Sequence, residues 1–322
     1  MVNTVLVVVL LLVGIILIVK GGDFFVDAAT WIATVSGIPN FIIGATIVSI
    51  ATTLPELLVS LMAAAKGSVD MAAGNAVGSV TANVALIMGI SLVCLPGIAK
   101  RSQIAFKAIL MIVSIVILCL FSQNGGLSII ESVIILVFFV CFIIENIITA
   151  KKQISSDSKP ETKPGAKEIA VNIVKFVVGA VGIVIGADLL VDNGTILAQV
   201  LGVPDGIIGV TLVAVGTSLP ELVTTLTAIS KKQASLSVGN IIGANVIDLT
   251  IILPLCAVVS GKELPVTSRM ATLDMTVCLI VCLIAVVPAL ISEKFRRWQG
   301  VVLLAGYIGY LVILIGFNGF GL

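Results

Sequence analysis

The chain has 322 residues, of which 59% carry apolar side chains and 11% are charged, with net charge +1 and mean hydropathy +1.27. A soluble fold of this size leaves over half its exterior to water and cannot hide so much apolar surface, so the composition reads as an integral membrane protein. The near-neutral charge gives no footing for nucleic acid, and the lack of any histidine excludes His-based triads, bases and metal sites.

Crossing a ~30 Å hydrocarbon core takes about 20 apolar residues. Runs of that kind fall at 3–20, 41–65, 71–96, 104–121, 128–149, 169–190, 206–230, 235–259, 270–291 and 299–317. They predict ten transmembrane helices in an all-α integral membrane protein. Continuous Leu, Ile and Val runs do not fit the short alternating segments of a membrane β-barrel. No positive charge precedes the first run and no small-residue cleavage site follows it, so it reads as a helix and not as a signal peptide. The polar stretch 151–168, with Pro160 and Pro164, reads as a cytoplasmic linker between halves at 1–150 and 169–322. With both termini outside, the inner loops hold thirteen Lys and Arg, Lys107 among them, against Lys66, Lys262 and Arg269 outside. That imbalance orients the chain in the cell (inner) membrane. The six cysteines all lie in apolar runs and read as small buried hydrophobes, with no disulfide framework.

Residues 21–89 align with 186–254 at a constant offset of 165, without a gap and with 26 of 69 positions identical. Chance similarity between two apolar stretches would collect in Leu, Ile and Val. Here the identities include Asp23/Asp188, Asp27/Asp192, Pro55/Pro220, Glu56/Glu221 and Asn75/Asn240. Five predicted spans per half is an odd number, so the second copy enters the membrane inverted. Inverted five-helix repeats are a pattern of secondary transporters, with the substrate site where the repeats meet.

Glu56 and Glu221 fall mid-span, where a carboxylate costs ~2.5–3.5 kcal/mol and must face a cavity or a cation. Thr52 and Glu56 share one helical face with Thr53 beside them, and Thr217, Ser218 and Glu221 repeat the arrangement. Pro55 and Pro220 each free a carbonyl one turn back, and a cation can serve as its partner. The third and eighth spans add the polar stripes Asn75, Ser79, Asn83 and Asn240, Ala244, Asp248, with Gly74/Gly78 and Gly239/Gly243 as close-packing pairs. Every candidate ligand is an oxygen, which suits hard cations such as Ca²⁺ and Na⁺. Three carboxylates, Glu56, Glu221 and Asp248, in one small cavity oppose each other when empty. An empty carrier is then penalised, which gives exchange a physical basis. Asp23, Asp27, Asp188 and Asp192 lie past the apolar runs and read mainly as solvent-facing; Glu131, Glu145 and Asp274 read as snorkelling at span ends.

The paired motifs GATIVSIATTLPE with GNAVGSVTAN, and GVTLVAVGTSLPE with GNIIGANVID, resemble the two α-repeats of the sodium/calcium exchanger branch of the Ca²⁺/cation antiporter superfamily, in its minimal prokaryotic form. The resemblance covers essentially the whole chain. It implies a Ca²⁺/Na⁺ antiporter without cofactor or required protein partner, Glu56 and Glu221 being shared by both ions. Hydroxyl ligands carry over to Thr52, Thr53, Thr217 and Ser218, and backbone carbonyl ligands to Ser49 and Ala214. Central polar positions carry over to Asn83 and Asp248. It also implies alternating access in which the first and sixth helices slide against the other eight. The family usually reads GSN in both repeats, whereas this chain has Gly78-Ser79-Val80 and Gly243-Ala244-Asn245. Ala244 thus lacks a hydroxyl that normally helps to hold Na⁺. Coupling to H⁺ or K⁺ is the alternative within this class; a passive channel and an intramembrane hydrolase are the alternatives outside it.

Overall fold

The computed structural model describes residues 4–65, 69–97, 100–122, 125–154, 164–201, 216, 218–261, 264–267 and 269–319. Among these described residues the longer helical segments are, in order, α1 (Thr4–Ser36), α2 (Asn40–Ala65), α3 (69–94), α4 (Arg101–Phe121), α5 (Ile129–Ile154), α6 (Ala166–Val200), α7 (Leu219–Ser230), α8 (Ala234–Ser260), α9 (Met270–Ser292) and α10 (Arg297–Gly319). Among the described residues, nine helices are long and apolar enough to cross a membrane. The expected run 206–230 appears as the shorter α7, because 202–215 and 217 fall outside the described residues. A two-residue antiparallel pair, Gly126–Leu127 with Leu264–Pro265, ties the α4–α5 turn to the α8–α9 turn.

Two departures concern the sequence boundaries. Helices α5 and α6 run into the predicted linker, to Ile154 and from Ala166, and 155–163 lie outside the described residues. Helices α1 and α6 extend well beyond the apolar runs that predicted them, because the polar turns carrying Asp23, Asp27, Asp188 and Asp192 stay helical.

The apolar core divides unequally. One large cluster draws on α2, α3, α4, α5, α8, α9 and α10 and includes no residue of α1 or α6. A smaller one joins α1 residues Ile18, Phe25, Val26, Ala29 and Ala33 to Ile183, Val223, Ala228 and Leu236. Helices α1 and α6 instead pack along one another. Their axes approach at Gly14–Gly186 and Gly21–Gly179: a methyl on any of the four would sit 2.7–2.9 Å from the partner's carbonyl oxygen. Residue numbers fall on α6 as they rise on α1, so the pair is antiparallel. Only a helix face without Cβ atoms allows backbones so near.

Helix α8 is the most enclosed, with 83% of its apolar window buried. Gly239 and Gly243 let α2 reach it at Phe41, Ala45 and Ser49, as their spacing predicts. Gly74 and Gly78 have no comparable backbone contact among the described residues. Helices α2, α3, α8 and α9 each contain one π-helical stretch, at Gly44–Val48, Asn83–Met88, Asp248–Ile252 and Met270–Asp274. The second and third begin at positions that are 165 residues apart, Asn83 and Asp248. A π-turn widens the helix by one residue and loosens its backbone bonding, a device frequent at functional sites.

Several charged residues are placed otherwise than the sequence led us to expect. Lys107 does not belong to a cytoplasmic loop: it is fully buried within α4 and ion-paired to Glu145 of α5. Glu145 is therefore engaged inside the protein and does not snorkel. Asp274 is buried too, accepting from the Tyr310 hydroxyl at 3.0 Å. Glu131 forms a capping box at the start of α5, where it accepts from the backbone N–H of Ser128 at 2.8 Å while the Ser128 hydroxyl accepts from its own N–H. Of the cysteines, Cys256, Cys278 and Cys282 are buried as expected, whereas Cys94 is exposed.

Candidate functional site

Helix α2 carries Ser49, Thr52, Thr53 and Glu56 on one face, all buried, with Glu56 one residue after the internal Pro55. Glu221 is held differently. Helix α7 starts at Leu219 with Pro220 in its first turn, a position where a proline costs no intrahelical bond. Glu221 consequently stands in the first turn, where the N-terminal end of the helix dipole favours a carboxylate. Ser218 occupies the N-cap position without capping, which leaves its hydroxyl free of protein partners. Thr217 and Ala214 lie outside the described residues.

The two halves meet through these side chains. Thr53 donates to Glu221 Oε1 at 3.4 Å and Thr52 to Asn240 Oδ1 at 3.3 Å, both from α2 across to the second half. Asn75 of α3 donates to the Ser60 hydroxyl at 2.9 Å and to the Glu56 carbonyl at 3.4 Å, bracing the glutamate turn. The π-turns cross over: the one opened by Asn83 packs on α7, the helix of Glu221, and the one opened by Asp248 packs on α2, the helix of Glu56.

What sets this cluster apart is unmet bonding. Both oxygens of Glu56, both of Asp248, Glu221 Oε2, the hydroxyls of Ser79 and Ser218 and both side-chain polar atoms of Asn83 are buried with no protein hydrogen-bond partner. Buried polar atoms are ordinarily satisfied, and a buried unpaired carboxylate is among the costliest groups a fold can hold. No group of three or more His, Cys, Asp or Glu side chains among the described residues is close enough to cage a metal unaided. Hydroxyls and amides must therefore complete any cation shell around these acids. The donor set is all oxygen, with no imidazole and no thiol, as hard cations prefer.

Sequence reasoning missed Thr224, Thr225 and Asn245, which are also fully buried with unpartnered side-chain atoms. For Thr225 a signal existed: it stands four residues after Glu221, as Ser60 stands four after Glu56, on the same helical face. Thr224 corresponds to the apolar Val59 and had no such mark, whereas Asn245 is the Asn of the GSN pattern, kept in the second repeat where the first has Val80.

Beside the glutamates lies a cavity of about 180 Å³ lined by Pro55, Val59, Ala187, Gly216 and Pro220, with the exposed Asp188 and Asp192 on its α6 wall. These two aspartates face solvent, as read from the sequence, yet they also flank a recess that reaches the residues next to both glutamates.

Nine helices among the described residues that are long and apolar enough to cross a membrane, around a buried seat of unpartnered oxygens drawn from both halves of the chain, define a membrane transporter. The chain belongs to the sodium/calcium exchanger family: the family model described as Sodium/calcium exchanger protein matches residues 6–147 and 171–316. It is 33% identical over 302 residues to the uncharacterized membrane protein MJ0091 of Methanocaldococcus jannaschii, spanning 92% of this chain and 94% of that one. To Sodium/calcium exchanger MaX1 of Methanosarcina acetivorans it is 32% identical over 351 residues, or 95% and 97% of the two chains. Among solved structures, the sodium-calcium exchanger NCX_Mj soaked with Na⁺ and Sr²⁺ matches with a TM-score of 0.84 at 30% identity, covering 96% of this chain and 99% of that one.

Proposed function

We propose that this chain is an antiporter of the cell membrane that exchanges Ca²⁺ for Na⁺ by alternating access, extruding Ca²⁺ at the expense of the inward Na⁺ gradient. The observation that carries the reading is the cluster of buried, unpartnered oxygens around Glu56, Glu221 and Asp248. Such a seat is stable only when positive charge enters it, so the carrier is penalised when empty and changes face when loaded. Glu56 and Glu221 are shared by both ions, with Thr52, Thr53, Thr217 and Ser218 and the carbonyls of Ser49 and Ala214 completing the shell. Ser79, Asn83 and Asp248 line the flanking positions. The halves 1–150 and 169–322 are inverted five-helix repeats, with α1 and α6 as the moving pair against the rest. Support for that division is the absence of α1 and α6 residues from the large core. Both termini face outward and the 151–168 linker faces the cytoplasm.

The test is ⁴⁵Ca²⁺ uptake into proteoliposomes under imposed Na⁺, K⁺ or pH gradients. Uptake driven by outward Na⁺ alone is expected. Uptake that needs no counter-ion would make the protein a channel, and uptake driven only by K⁺ or H⁺ would replace Na⁺ as the coupling ion.

A further inference from the structure

The two flanks of the seat carry the same repeat residues in opposite settings. On α1, the ammonium of Lys231, just past the end of α7, lies 2.7 Å from Asp27 Oδ1 and 3.3 Å from Asp23 Oδ1. It also donates to the backbone carbonyl of Asp23 at 3.0 Å. One residue before Asp23, α1 touches α7 closely: a methyl on Gly22 would sit 2.7 Å from Thr227 Oγ1 and 3.0 Å from Val223 Cγ1. Val26, Ala29, Val223, Ala228 and Leu236 seal the same interface. On α6 the counterparts of Gly22, Asp23 and Asp27 are Ala187, Asp188 and Asp192, and these line the 180 Å³ cavity. The α1 flank is shut and cross-linked by charge; the α6 flank borders the cavity, and Lys66, the repeat counterpart of Lys231, lies outside the described residues.

The glycine seam makes α1 and α6 one body, so a contact that holds α1 down also fixes where α6 stands. We propose that Lys231 is the latch of the α1 flank: its ammonium occupies the place of a cation between Asp23 and Asp27, and it must let go before the seat can open on that side. The inference rests on the alternating-access reading above. It adds a residue outside the ion seat that sets the balance between the two open states. Each partly exposed ion pair is weak, which suits a contact that has to break in every cycle.

Two experiments test it. In a background with the six cysteines replaced, Asp27→Cys and Lys231→Cys are joined by a short bis-methanethiosulfonate reagent in proteoliposomes. Cross-linked protein, identified by its mass, is expected to lose Na⁺-driven ⁴⁵Ca²⁺ exchange and to regain it with dithiothreitol. Exchange at the uncross-linked rate would mean that the contact never opens and would overturn the proposal. In the otherwise native chain, Lys231→Met is expected to tighten apparent Ca²⁺ affinity on the α1 side about five-fold by populating the state open there, and Lys231→Arg to leave it unchanged. An unaltered affinity in Lys231→Met would also overturn it. A parent protein that exchanges nothing would instead overturn the transport reading, and the latch with it.

Discussion

Lys107 and Glu145 bring their charges together inside α4 and α5, with Nζ and Oε2 2.5 Å apart, a cation–π contact from Lys107 to Phe41 at 5.8 Å, and Thr149 donating to the other glutamate oxygen. Glu56, Glu221 and Asp248 are equally buried and have five carboxylate oxygens without a donor. The first cluster is electrically closed and complete within the protein. The second is a set of acceptors whose complement is missing from the chain. Burial alone does not distinguish a structural charge from a functional one; the state of its partners does.

The difference can be broken from either side. The largest effect is expected at the open cluster, where Glu56→Gln and Glu221→Gln should each abolish Na⁺-driven Ca²⁺ transport while the protein still inserts and folds. A near wild-type flux in either variant would dissolve the proposed seat. At the closed cluster, Lys107→Met should cost about 3 kcal/mol of stability, because it strands the Glu145 carboxylate. The further change Glu145→Leu should recover most of that loss. Thermal unfolding in detergent measures both, and a loss below about 1 kcal/mol would show that the pair contributes no more than a surface one.

A third expectation sharpens the contrast. If the open cluster awaits a cation, Ca²⁺ at about 100 times its Kd should stabilise the folded protein by about 2.7 kcal/mol, read as a higher Tm. Glu56→Gln or Glu221→Gln should remove that shift and Lys107→Met should keep it; an equal shift in all variants would mean that Ca²⁺ acts elsewhere. The smallest effect belongs to Ala244, the buried position where the second half lacks the Ser79 hydroxyl. One oxygen ligand is worth about 1 kcal/mol, several-fold in affinity. Ala244→Ser should lower the Na⁺ concentration for half-maximal Ca²⁺ efflux by that factor, and Ser79→Ala should raise it. No movement in either would take this stripe away from Na⁺.

The open cluster was legible in the sequence because the repeat printed it twice: a mid-span glutamate after proline, with hydroxyls one turn back, is too improbable to recur by accident. The closed pair was not legible. Lys107 and Glu145 are 38 residues apart on different helices, no periodicity joins them, and Lys107 taken alone reads as a loop charge. Lys231 was hidden for the same reason, 204 residues from Asp27. The π-turns at Asn83 and Asp248 left no mark either, since one extra residue in a turn changes the register of a helix without changing its composition. The expected seventh span is described only from Gly216 and Ser218 onward, so its first half stays a sequence expectation.

The glycine contact of α1 with α6 has a symmetry of its own. Adding 165 to Gly14 gives Gly179, and adding 165 to Gly21 gives Gly186. Exchanging the halves therefore turns the contact Gly14–Gly186 into Gly21–Gly179, the other observed one. In the vocabulary of oligomers this is an isologous interface, the self-complementary kind that two identical subunits make, written here within one polypeptide. One surface, presented in opposite senses by two copies of a half-length chain, is all the geometry asks for.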